Sequence, residues 1–201
     1  MIKTIIFDLG GVLADWSPSY LYESIIPDEK ERQFFFDHVC TKAWNEEQDA
    51  GRPIAEGNEI LIKEYPKYKD QILAFYGRWE EMLIGSIDGT VQILEELKTN
   101  NKHRILALTN WSSETFPIAR KRFEWLNLFE GILISGVEKL KKPDHQFYQL
   151  MLDKYQIDPE TALFIDDSQR NVDASNDFGL PAIHFESPEK LRDDLTRLGV
   201  L

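Results

Sequence analysis

The 201-residue chain is 42% hydrophobic and 29% charged, an ordinary balance for a soluble globular fold with one sizeable core. Its 35 acidic and 23 basic side chains leave a formal charge of −12, which argues against nucleic acid and an anionic membrane surface as partners. A small phosphorylated metabolite stays compatible with that charge, because one local cationic pocket is enough to hold it.

Cys40 is the only cysteine, so no internal disulfide can form and a reducing, cytoplasmic setting is expected. No apolar stretch approaches the roughly 20 residues of a membrane span. The N-terminus reads as a strand over 2–7 and not as a leader, because Asp8 interrupts its apolar run. Residues 17–82 carry apolar and aromatic side chains at three- and four-residue spacing, which predicts four or five short helices. The main break there is the loop 46–57, punctuated by Gly51 and Pro53. From residue 87 the pattern alternates. Helices are expected over 88–100, 114–123, 144–155, 170–179 and 188–198, and short continuously apolar strands over 104–109, 131–135, 162–166 and 181–185.

Such alternation indicates a parallel sheet covered on both faces. The fold class is therefore α/β: a three-layer Rossmann-like core with a parallel sheet, formed by residues 1–16 and 84–201, and an inserted small helical bundle at 17–83. The segments 14–18 and 84–89 would be the crossings between the two parts.

In open parallel sheets ligands bind beyond the carboxyl ends of the strands. Asp8 follows the first strand, Thr109 and Asn110 end the second, Lys142 precedes the helix at 144–155, and Asp166 and Asp167 end the strand at 162–166. Singly, each has an ordinary reading as a turn, cap or helix-start residue. Together, and in this order, they converge on one edge.

The segments FDLGGVL, LTN, KKPD and IDDSQRN make the chain resemble the haloacid dehalogenase-like hydrolase superfamily, most of whose members are Mg²⁺-dependent phosphatases. The resemblance implies that the helical insertion is a cap. It implies Asp8 as nucleophile, forming an aspartyl-phosphate, and a Mg²⁺ site from Asp8, the Gly10 carbonyl, Asp167 and Asp166. Lys142 would supply a cation, Thr109 and Asn110 would hold phosphate oxygens, and Asn171 would support the metal edge. In the cap tip, residues 43–53, Trp44 and Arg52 are substrate-binding candidates, each with an ordinary packing or solvated alternative. Trp111 either lines the pocket or wedges under the cap.

One position departs from the family's usual phosphatases, where the residue two after the nucleophile is a second Asp that protonates the leaving group. Here it is Gly10, so acid–base assistance worth roughly 10²–10⁴ in rate is missing or comes from elsewhere. Glu46, Glu47 and Asp49 in the cap are replacement candidates, and Asp15 is another, though its place at the crossing favours a hinge or turn role. A substrate with a good leaving group, such as a sugar 1-phosphate, would need less help. Two rival readings remain: a metal-free 2-haloacid dehalogenase using the same Asp, and a binding protein with a degenerate site. The paired carboxylates weigh against the first, since without a cation they would repel one another and the substrate.

Overall fold

Strands and helices alternate where the apolar runs alternate. The computed structural model describes residues 1–201. Its strands are β1 (Thr4–Phe7), β2 (Ala14–Trp16), β3 (Leu83–Ser86), β4 (Arg104–Thr109), β5 (Gly131–Ile134), β6 (Ala162–Asp166) and β7 (Ala182–His184). Five short helices fill the first half: α1 (Ser19–Ile25), α2 (Glu29–Phe34), α3 (Lys42–Asp49), α4 (Ile54–Glu64) and α5 (Lys69–Gly77). The second half adds α6 (Asp88–Asn100), α7 (Phe116–Arg122), α8 (Ser135–Glu138), α9 (His145–Tyr155), α10 (Gln169–Phe178) and α11 (Pro188–Arg197). Beyond residue 87 every expected element forms, with bounds within two residues of those read from the sequence.

The main sheet is wholly parallel, in the order β5-β4-β1-β6-β7. The chain builds outward from β1 through β4 to β5, then returns to the other side of β1 for β6 and β7. That reversal puts the switch point at β1, where ligands gather in such sheets. Successive side chains go to opposite faces. Ile5, Phe7, Ile105 and Ile165 enter one apolar cluster with α6 and α11, while Ile6, Leu106, Leu108 and Phe164 enter the other with α9. Each fully buried side chain of this size contributes roughly 1.5–3 kcal/mol. The central strands are thereby fixed from both faces. No helix is long and apolar enough to cross a membrane.

The helices α1–α5 pack through aromatic pairs. The Tyr22 ring stacks on Phe35 at 5.0 Å, and Trp44 meets Phe75 edge-on at 5.2 Å. Their apolar side chains join the cluster on the Ile5 face of the sheet, so insertion and core share one buried seam.

Two local expectations change. The crossings at 14–18 and 84–89 are not plain connectors: β2 and β3 pair antiparallel, Ala14 opposite Ser86, with a bulge between Asp15 and Trp16. These strands are too short, and too far apart in sequence, to show a period of their own. The loop expected over 46–57 is shorter, because α3 continues to Asp49. Thr41 caps its start by accepting from the Trp44 N–H at 3.1 Å, and Asn45 donates to Asp49 across one turn at 2.9 Å. The break comes where Gly51 takes a φ of 100°, a conformation that favours glycine.

Gly136 packs tightly on the core segment 111–113 and touches the insertion at Gly51. A Cβ there would press on the Ser113 N–H and lie 2.8 Å from the Trp111 carbonyl, and the Gly136 carbonyl itself lies against Gly51. We expect Gly136→Ala to cost about 1–3 kcal/mol, read as a thermal midpoint lowered by roughly 2–4 °C per kcal/mol in a chain this size. A midpoint within 1 °C of the native protein would show that the backbone at 111–113 yields freely.

Candidate active site

Strand register brings the charged residues together. Phe7 pairs with Ala107 on one side and Ile165 on the other, so the next residue, Asp8, stands level with Leu108 and Asp166. Lys142 arrives from the loop before α9, and its Nζ reaches all three strands. It lies 2.9 Å from Asp8 Oδ2 and 2.7 Å from Asp166 Oδ2, and donates to the Leu108 carbonyl at 3.0 Å. Its side chain is wholly enclosed.

Neighbouring groups hold this arrangement. Asn110 grips the peptide of Lys142 from both sides: its Nδ2 donates to the Lys142 carbonyl at 2.9 Å, and its Oδ1 accepts from the Lys142 N–H at 2.8 Å. Asp166 accepts from the Ser168 N–H at 2.8 Å and from Asn171 Nδ2 at 3.0 and 3.2 Å. Asn171 thus contacts the carboxylate edge through Asp166. Asp167 is the most exposed of the three acids and lies against Gly11, whose φ is 73° and whose missing Cβ makes room for the Asp167 carboxylate.

The electrostatics are unbalanced. Burial disfavours charge on Lys142, but Asp166 and Asp8 outweigh it and hold the ammonium above its usual range. Burial pushes the Asp8 carboxyl up to about 8, with Lys142 opposing and Asp166 and Asp167 adding to the rise. Asp167 is raised too, by burial and then by Asp166. Oxygens of Asp8, Asp166 and Asp167 lie within 4.8 Å of one another, against a single ammonium. A set of hard oxygen donors with surplus negative charge suits a divalent cation such as Mg²⁺.

A cavity of about 540 Å³ opens over this centre, and Asp8, Gly10, Asn110, Lys142, Asp167 and Asn171 all line it. Thr109 does not. It is fully buried at the end of β4, with its hydroxyl unpartnered. The two cap candidates for substrate contact are elsewhere. Trp44 is buried, donates to the Gly57 carbonyl at 3.1 Å and packs on Phe75 and Tyr76, so it is a core residue of the insertion. Arg52 donates to Gln48 Oε1 at 2.6 Å and the Trp44 carbonyl at 3.2 Å, which turns it back along α3. The other cations at the cavity are Lys42 and Arg170, neither of which had a sequence signal beyond proximity to α3 or to Asp167. Trp111 lies between Trp79 and Phe116, at 5.6 and 5.7 Å, wedged beneath the insertion.

The replacement acids sort themselves. Asp15 accepts from Tyr20 at 2.8 Å and takes no part in the cavity. Glu46 lies between Arg170, at 3.3 Å, and Lys141, at 3.7 Å; Glu47 lies 3.0 Å from Lys141. Asp49 lines the cavity without a cation in contact.

A model of haloacid dehalogenase-like hydrolases matches residues 2–179. The chain belongs to this family. Among relatives, the sesquiterpene phosphatase astK of Aspergillus oryzae is 26% identical over 184 residues, covering 91% of this chain and 89% of that protein. The phosphorylated carbohydrates phosphatase of Thermotoga maritima is 26% identical over 190 residues, covering 91% and 84%. Drimenol cyclase drtB of Aspergillus calidoustus is 23% identical over 98% of this chain, which spans 37% of that longer protein. A family enzyme from Bacteroides thetaiotaomicron, solved with magnesium, aligns with a TM-score of 0.71 at 22% identity, over 92% of this chain and 94% of that one. The L-2-haloacid dehalogenase of Xanthobacter autotrophicus aligns at 0.63 and 16% identity, over 100% and 85%. These structural likenesses establish the fold.

Removing the buried cation leaves two enclosed carboxylates facing one another. We expect Lys142→Met to lose about 3–5 kcal/mol of stability at neutral pH, measured by urea unfolding. Part of the loss should return at pH 5, because a carboxyl whose pKa is raised in the fold stabilises it below that pKa and loses the effect as pH rises. An unchanged midpoint at pH 7 would show that the pairs carry no net energy.

Proposed function

We propose that the protein is a Mg²⁺-dependent phosphate monoester hydrolase acting on small sugar phosphates, with Asp8 as the nucleophile. The observation that carries this reading is the donor set itself: three carboxylates and one enclosed ammonium around the mouth of β1. Asp8, Asp167, Asp166 and the Gly10 carbonyl would hold Mg²⁺, whose chemistry is to offset the repulsion between a carboxylate nucleophile and a phosphate dianion.

The chain's own groups do the rest. Asp8 Oδ1 accepts the Leu9 N–H at 2.7 Å while Oδ2 faces Lys142, which fixes the carboxylate plane before attack. Attack on phosphorus transfers the phosphoryl group to Asp8, and water then hydrolyses the aspartyl-phosphate. The Lys142 ammonium stabilises the phosphate oxygens as charge builds on them. Asn110 acts by holding Lys142. Residues 17–83 serve as a cap over the core of 1–16 and 84–201, excluding bulk water during the first transfer.

The cavity lining is mixed: Thr41, Lys42, Asn45, Glu46 and Arg170 offer the hydrogen-bonding groups a hydroxylated substrate would use, beside apolar Trp16, Phe36 and Phe75. The sugar reading draws on the carbohydrate phosphatase among the relatives; the sesquiterpene phosphatase, equally similar, is the reason for including prenyl esters in its test.

A panel of sugar and prenyl phosphates, assayed for phosphate release with and without Mg²⁺, tests the reading. We expect Mg²⁺-dependent release, greatest on a sugar phosphate, and a loss of at least about 10³-fold in Asp8→Asn, as for a covalent nucleophile. Chloride release from 2-haloacids with no phosphate release would replace this reading with a dehalogenase; neither product would leave a binding protein.

A further inference from the structure

We propose that Asp49, on the last turn of α3, is the general acid and base that position 10 lacks. This deepens the phosphatase reading and rests on it.

Position comes first. Asp49 and Gly10 line the main cavity together with Asp8 and Lys142, and they meet again in an adjoining chamber of about 60 Å³ bounded also by Asn45 and Asn110. A Cβ built on Gly10 meets nothing within 4 Å, so the space a side chain would take at position 10 is open. Asp49 is the carboxyl that borders it from the insertion. Every other acid near the cavity is committed. Asp8 and Asp166 face Lys142, Asp167 sits on Gly11, and Glu46 is paired with two cations.

The carboxyl is also held in place. Tyr76 donates its hydroxyl to Asn45 Oδ1 at 2.9 Å, and Asn45 Nδ2 donates to Asp49 Oδ2 at 2.9 Å. The Asp49 peptide carbonyl accepts the Ser135 hydroxyl, which ties the end of α3 to the core. The environment suits a proton carrier. Burial pushes the Asp49 carboxyl up to about 7; the Ser112 backbone and Lys141 oppose the rise and Glu46 adds to it. An acid–base group works best when its pKa lies near the working pH.

The steps balance. As Asp8 bonds to phosphorus, the phosphorus–oxygen bond to the alcohol breaks, and protonated Asp49 gives its proton to the departing oxygen. The Asp49 carboxylate then takes a proton from water, whose oxygen attacks phosphorus. The Asp8–phosphorus bond breaks, inorganic phosphate leaves, and Asp49 is again protonated.

Leaving-group dependence tests the assignment. Rapid-quench kinetics with Mg²⁺ compare p-nitrophenyl phosphate, whose leaving group needs no proton, with a sugar 6-phosphate, whose leaving group does. In Asp49→Asn we expect a burst of nitrophenolate at close to the native rate, slow turnover afterwards, and a loss of about 100-fold or more on the sugar ester. Gly10→Asp in the same background should recover at least about ten-fold on the sugar ester, because a carboxyl at either position reaches the same space. An equal loss of burst rate on both esters would assign Asp49 a structural role and overturn the proposal. So would an Asp49→Asn enzyme within three-fold of native on the sugar ester. If Asp49→Asn does not fold by circular dichroism, Asn45→Ala takes its place: a loss confined to the sugar ester supports the proposal and a uniform loss overturns it. A native protein that releases phosphate from no ester sinks the phosphatase reading and this one together, an outcome distinct from an active native enzyme matched by Asp49→Asn.

Discussion

One enclosed ammonium sets the terms for the rest of the molecule. Lys142 Nζ touches groups on β1, β4 and β6 at once, and a charge that deep is tolerated only while every partner stays in place. The requirement fixes the register of three parallel strands, because a slip of one residue would turn Asp8 or Asp166 away. It also explains the apolar layers on both faces of the sheet, which hold that register without polar help. Asn110 and Asn171 answer the same demand from the two ends, one gripping the Lys142 peptide and the other the Asp166 carboxylate.

The parallel sheet was legible because its strands are continuous apolar runs with helical periodicity between them, and because parallel strands must all end at one edge. Asp8, Lys142, Asp166 and Asp167 could therefore be placed together before any coordinates. Other features depend on distances in space that no periodicity encodes. β2 and β3 pair across an insertion of more than sixty residues, and the Asn110 grip joins positions 32 apart. An aromatic stripe shows that Trp44 has a buried side, but not that its indole N–H is spent on Gly57. Arg52 had a candidate's chemistry, yet the Trp44 carbonyl and the Gln48 side chain of α3 claim its guanidinium. Lys42 and Arg170 face the cavity only because of how α3 lies over the start of α10, and nothing in their local sequence announces it.

The bare position at Gly10 and the carboxyl on α3 divide the work between two parts of the chain. In the proposed mechanism the sheet edge keeps the groups that contact phosphorus, while proton handling falls to the insertion. On that proposal the chemistry is complete only when α3 rests on the core, where Ser135 meets the Asp49 carbonyl and Gly136 meets Gly51.

The ion pairs around the cavity differ sharply in shelter. Those at the centre are enclosed by protein, whereas Arg170 with Glu46 and Lys141 with Glu47 stand at a partly open rim between α3 and the core. At physiological ionic strength the screening length is about 8 Å, and it shortens as salt rises. Added salt therefore weakens the grip of α3 on the core well before it reaches Lys142. The medium thus acts on the joint between α3 and the core before it acts on the charges enclosed at the sheet edge.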